Sequence, residues 1–127
     1  MYYRFENLDV WKLARLFSVE IYRISNKFPK SEIFGLISQI RRAAISVALN
    51  IAEGSSRGSD LEFKRFLRIS LGSISEVVTT LYIALDLELV TKNQFDNLYK
   101  VSGELTAKIK ALISSLGKKW LSLVLRP

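Results

Sequence analysis

The stretch Ser38–Ser59, SQIRRAAISVALNIAEGSSRGS, decides the fold. Between Ala43 and Ala52 it carries no charge, and its only polar residues there are Ser46 and Asn50. Ile40, Ala44, Val47 and Ile51 recur at spacings of four and three and form one helical face. Ile45, Leu49 and Ala52 point elsewhere and are apolar too. A helix that is apolar nearly all round is buried on more than one side. A helix in a lone small bundle keeps one wet face, so this one is expected to meet a neighbour beyond its own chain. A polar line also runs along it through Gln39, Arg42, Ser46, Asn50 and Glu53. Gly54 is expected to end the helix, with Ser55 to Ser59 as the turn.

Working outward, the breakers are few: two prolines and six glycines in 127 residues. Long periodic runs with few breakers predict one all-α domain. Its helices are expected at about 8–27, 31–54, 60–88 and 92–116, followed by an apolar tail over 120–127. Val10, Ala14, Phe17, Ile21, Ile24 and Phe28 form the first seam, and Phe28-Pro29 stops that helix. Ser31 with Glu32 reads as the start of the second, which places Ile33 and Ile37 in its core seam. Ser59 or Asp60 caps the third, seamed by Phe63, Leu67, Ser70, Ile74, Val77, Leu81 and Ala84. Thr91-Lys92-Asn93-Gln94 is a capping box for the fourth, and Gly117 stops it. Short turns between long helices predict an antiparallel up-down-up-down four-helix bundle.

With the second turn centred near Arg57, antiparallel packing pairs positions whose numbers sum to about 115. Arg41 or Arg42 then reaches Glu76, with Gln39 and Ser73 satisfying the remaining donors and acceptors. Gln39, Arg41, Arg42, Ser46, Asn50, Glu53, Ser73 and Glu76 are therefore read as a structural polar network. The bundle's outer contacts are assigned to Ile45, Leu49 and Ala52, and to Trp120, Leu121 and Leu123 of the apolar tail.

Nineteen Lys and Arg against twelve Asp and Glu give a formal charge of +7. That excess suits phosphate backbones or other anionic surfaces, or serves only as solubility charge. The candidate phosphate contacts are Arg57, Lys64, Arg65, Arg68, Lys108, Lys110, Lys118 and Lys119, with no base readout evident. The chain has no Cys and no His. That excludes thiol nucleophiles, Ser-His triads and the usual zinc and di-iron ligand sets. Glu53 and Glu62 lie near an exposed turn and Glu76 is remote, so paired-carboxylate catalysis is not expected. The expected protein is not an enzyme and has no metal or cofactor. Its N-terminus is charged throughout, and no apolar run approaches the ~20 residues that span a bilayer. A cytoplasmic setting without membrane contact is expected.

A set of motifs then appears in order: Phe5-x-x-Leu8-x-Val10-Trp11-Lys12, Ile21-Tyr22, Phe28-Pro29 and Gly35-Leu36. Ser38-Gln39-Ile40-Arg41-Arg42-Ala43-Ala44-x-Ser46, Asn50-Ile51-Ala52-Glu53-Gly54 and Gly72-Ser73-x-x-Glu76 complete it. Over residues 5 to 117 the chain resembles the four-helix-bundle proteins encoded in intervening sequences of bacterial 23S ribosomal RNA genes. That group includes the accessory variability proteins of diversity-generating retroelements. The resemblance implies a non-enzymatic bundle assembling as a homopentameric ring with a positively charged surface. It implies nucleic-acid binding, with structured RNA favoured over DNA here. In the retroelement branch it implies docking to a reverse transcriptase, so a protein-interaction scaffold is the alternative function.

Overall fold

The computed structural model describes residues 1–117. Four α-helices account for most of them: α1 (Asp9–Ser25), α2 (Leu36–Ser55), α3 (Asp60–Asp86) and α4 (Lys92–Ser115). No strand occurs among the described residues. Each helix packs antiparallel on the next, and α1 also packs on α4, which closes the four around one core. That core holds the expected seams, with Ala14, Phe17 and Ile21 from α1 meeting Ile40, Ala44, Val47 and Ile51 of α2. Phe63, Leu67, Val77 and Leu81 of α3 and Leu105 and Ile109 of α4 complete it.

Local chemistry sets the helix ends. Ser59 Oγ accepts from Glu62 N–H at 3.2 Å and starts α3. Thr91 and Gln94 form the reciprocal box that starts α4, at 2.9 and 3.1 Å. The second helix departs from expectation. Ser31 lies in a single 3-10 turn over Lys30–Glu32, and α2 begins only at Leu36. Gly35 has a non-helical ψ of −111°, and the Glu32 carboxylate accepts from Leu36 N–H at 3.2 Å. Glu32 therefore caps from upstream of the helix, and Ile33, expected in the core seam, is 53% exposed.

Gly54 does not end α2, which runs on to Ser55. A Cβ at Gly54 would lie 2.7 Å from Phe66 Cβ, so this glycine lets α2 and α3 approach closely. The turn's left-handed residue is Gly58, at φ +82°. By length and composition α3 is apolar enough to cross a membrane. Its Phe63, Leu67, Val77 and Leu81 are nonetheless spent on the helical core.

Candidate nucleic-acid interface

The eight cations singled out from the sequence do not form one patch. Arg57 and Arg65 come together on the Phe66 ring, with guanidinium carbons 4.9 and 4.6 Å from its centroid. Both are also charge-compensated: Arg57 faces Glu53 at 3.5 Å and Arg65 faces Glu62 at 2.7 Å. The hydrogen bond from Arg65, with its charge, holds the Glu62 carboxyl below its ordinary range, and Glu62 raises Arg65 in return. Lys108 and Lys110 stand two positions apart, about 200° around α4, and so leave it on opposite flanks. Lys118 and Lys119 lie outside the described residues, as do Trp120, Leu121 and Leu123.

Lys64, Arg68 and Lys110 have no carboxylate partner among the described residues, and they share the edge between α3 and α4. The register is given at both ends. Gly117 N–H donates to Asp60 Oδ2 at 3.0 Å, and the Tyr82 and Phe95 rings meet at 4.7 Å, each pair summing to 177. Arg68 and Lys110 sum to 178 and are therefore level across the two helices. Along this edge, Ser75, Thr79, Tyr99, Gly103 and Thr106 line an open groove of about 390 Å³. Arg68 lies seven residues before Ser75, and Lys110 lies seven after Gly103, so both continue the groove's two walls. At its other end Tyr82 and Tyr99 are 48% and 50% exposed and pack on buried Phe95.

This aromatic cluster was not legible as a unit. Phe95 reads as a core residue, while Tyr82 and Tyr99 sit outside both seams on separate helices. Only the register across the Thr91 turn brings the three rings together.

The expected polar network is partly assembled. Ser73 and Ser46 share a 2.8 Å hydrogen bond, and Asn50 Nδ2 donates to Ser46 Oγ at 2.9 Å. The shielded Arg–Glu76 pair does not form. Arg41 instead donates to Ser25 Oγ at 2.8 Å and to Asn26 Oδ1 at 2.6 Å, with its guanidinium 4.5 Å from the Tyr22 centroid. Glu76, Arg42 and Gln39 are exposed, and Glu76 has no cation within ion-pair distance among the described residues. The physical reason is partly register. Ser70 bonds Val47 and Ser73 bonds Ser46, sums of 117 and 119 rather than 115. The rest is orientation, because Arg41 turns toward α1 while Glu76 faces outward on α3. Glu53 lies at the turn with Arg57, not in the network.

Ile45, Leu49 and Ala52 line a second groove, between α1 and α2, of about 540 Å³. Trp11, Val19 and Tyr22 form its other wall, and Ala48 its floor. Ile45 and Ala52 are half-buried, whereas Leu49 is 62% exposed. Ser18 Oγ donates to Ala44 O at 3.1 Å and ties the two helices together beneath it.

Comparison with known proteins adds two findings. Residues 6–111 match the family described as 23S rRNA-intervening sequence protein. The fold is similar to the crystal structure of a protein of unknown function from the S23 ribosomal protein family of Bacteroides thetaiotaomicron VPI-5482. That likeness has a TM-score of 0.77 and 23% identity, over 84% of this chain and 99% of that one. No curated protein matches the chain.

Proposed function

We propose that this chain, which belongs to the 23S rRNA-intervening sequence protein family, is a non-enzymatic nucleic-acid-binding protein that works as a cytoplasmic homo-oligomer. The observation that carries this reading is the uncompensated cationic edge of Lys64, Arg68 and Lys110 on a chain of charge +7. Its ligand is structured RNA in preference to DNA, held through phosphates. In this reading the open α1/α2 groove, centred on Leu49, receives a second copy, and the family resemblance favours a homopentameric ring as the form of the assembly. Repetition of the cationic edge around an oligomer adds avidity to contacts that are individually weak. Without His or Cys, and with the half-buried carboxylates Glu6, Glu32 and Glu62 bonded to Tyr3 N–H, Leu36 N–H and Arg65, the chain has no evident general base.

The test is affinity for a ribosomal RNA fragment and for duplex DNA across a salt series. A log–log slope steeper than about −2 is expected, since each neutralised phosphate contributes roughly −0.7 to −0.9. Arg68→Ala should flatten that slope, whereas no binding at low salt would end the reading. A second reading is a scaffold that docks a reverse transcriptase. It rests on the same apolar α1/α2 groove, taken up by another protein instead of a second copy. A protomer that stays monomeric in light scattering would favour it.

A further inference from the structure

We infer that the α3/α4 groove holds an unpaired polynucleotide segment, with bases stacked on Tyr82 and Tyr99 and phosphates held by Lys64, Arg68 and Lys110. This rests on the nucleic-acid reading above and deepens it: the protein would grip the unpaired part of a structured RNA, not only its charge.

The aromatic end is a platform and not a core remnant. Phe95 is 5% exposed and anchors the cluster, while Tyr82 and Tyr99 keep about half their surface in solvent. Tyr99 stacks on Phe95 at 5.7 Å with 24° between planes, and Tyr82 tilts against the same ring at 4.7 Å. Tyr82 and Tyr99 meet at 78°, so their ring planes are nearly perpendicular. Rings held by a buried partner cost a ligand little ordering, and a π-face accepts any base.

The rest of the groove suits a backbone. Its middle combines the hydroxyls of Ser75, Thr79 and Thr106 and the gap at Gly103 with the apolar Ile74 and Val78. A Cβ on Gly103 would meet nothing within 4 Å, so the wall is open there. Arg68 to Tyr82 is fourteen residues, about 21 Å along the helix axis. A stacked strand advances ~3.4 Å per nucleotide, which gives room for roughly six. The charges are arranged in one direction. Lys64, Arg68 and Lys110 outnumber exposed Asp60 at one end, while at the aromatic end Lys92 is paired with Asp96 and exposed Lys100 is matched by exposed Asp86. Phosphates are therefore drawn to the first end and base faces to the second. A duplex cannot use the platform, because its bases are already stacked.

The experiment is fluorescence anisotropy of the intact oligomer with a short labelled oligouridylate, an oligothymidylate of equal length and an RNA duplex of equal length. Tyr82→Leu and Tyr99→Leu keep an apolar side chain over Phe95, and retained helicity and oligomer mass qualify them. Each is expected to weaken single-strand binding about tenfold, with the salt slope unchanged and duplex binding unmoved. Tyr82→Phe and Tyr99→Phe keep the ring and should bind as the parent does. Arg68→Ala and Lys110→Ala should instead flatten the slope on every probe. The RNA and DNA single strands separate the two sources of unpaired bases. Leucine variants that bind the single strands normally, beside a weakened Arg68→Ala, would overturn this inference and leave phosphate-only binding. A parent protein that binds none of the probes would overturn both readings and leave the groove to a protein partner.

Discussion

The groove between α1 and α2 and the groove between α3 and α4 are both left open by the same four helices, and their linings differ in kind. The first is walled by Trp11, Val19, Ile45 and Leu49, with Arg15 and Arg23 at its margin. The second mixes the apolar Ile74 and Val78 with the hydroxyls of Ser75, Thr79, Ser102 and Thr106 and a glycine gap, ends toward two half-exposed tyrosines, and has Lys64, Arg68 and Lys110 beyond its other end. An apolar lining gains most from a partner that excludes water, as a packed helix does. A hydroxylated and cationic lining stays solvated and suits a charged, hydrated ligand. The difference teaches that one small bundle can divide its surface by helix pair. The α2–α3 pair, tied by Ser70 to Val47 and by Ser73 to Ser46, stands between the two as a common frame.

The largest effect should come from striking the apolar side. Leu49→Asp places a carboxylate in the middle of that groove without touching the core, since Leu49 is already 62% exposed. If a second copy packs there, burying an unpaired charge should cost several kcal/mol per interface and reduce the assembly to protomers. Light scattering reads the mass and circular dichroism the retained helicity. Nucleic-acid binding by the protomer should weaken through lost avidity while keeping its dependence on Tyr82 and Tyr99. An oligomer that survives Leu49→Asp would assign assembly to another surface and break the proposed division.

A smaller effect separates glycines that look alike in sequence. Gly54 and Gly72 both sit inside helices, but a Cβ at Gly54 would lie 2.7 Å from Phe66 Cβ and 3.0 Å from Phe63 Cδ1. Gly54→Ala should therefore destabilise by about 1–3 kcal/mol through overpacking at the α2–α3 contact. Around Gly72 nothing lies within 4 Å of the added atom. Gly72→Ala should stabilise by up to ~1 kcal/mol through helix propensity. Urea midpoints at constant m-value decide both. Equal effects would mean that the α2–α3 frame is looser than the common-frame picture requires.

How much of this was readable beforehand follows from the range of each interaction. Caps and seams are local. Ser59, the Thr91/Gln94 box and the Phe63–Leu67–Ile74 spacing each specify their element from a few neighbouring residues. The start of α2 is not local in the same way, because Glu32 caps from four residues upstream of Leu36 across the Gly35 bend, so Ser31 does not begin the helix. Pairings across helices depend on a register that residue types do not encode. A shift of two to four positions at the Arg57 turn, together with the inward turn of Arg41, separates an imagined Arg–Glu76 pair from the observed Ser46–Ser73 contact. The Tyr82–Phe95–Tyr99 cluster is invisible for the same reason. The opposite flanks of Lys108 and Lys110, by contrast, follow from their two-residue spacing alone.

The smallest effect tests whether the basic turn belongs with the cationic edge or is silenced by its own carboxylates. Arg65 lies one helical turn from Arg68 but is tied to Glu62 by two hydrogen bonds, at 2.7 and 3.5 Å. Because the fold holds Glu62 below the ordinary carboxylate range, this tie is complete above that range. It is lost as pH falls through the lowered value. At neutral pH Glu62 is charged, so a phosphate has to compete with it for Arg65. Glu62→Gln removes the negative charge while leaving a side chain of the same shape, and both partners are exposed, so stability should barely move. Affinity for the single-stranded probe should rise modestly, and the salt slope should steepen by less than about one unit per protomer. The same substitution should leave oligomer mass unchanged, since Glu62 is remote from the groove around Leu49. A variant that binds no better than the parent would confine phosphate contact to Lys64, Arg68 and Lys110. The Phe66 clamp of Arg57 and Arg65 would then be a structural cover for the α2–α3 turn.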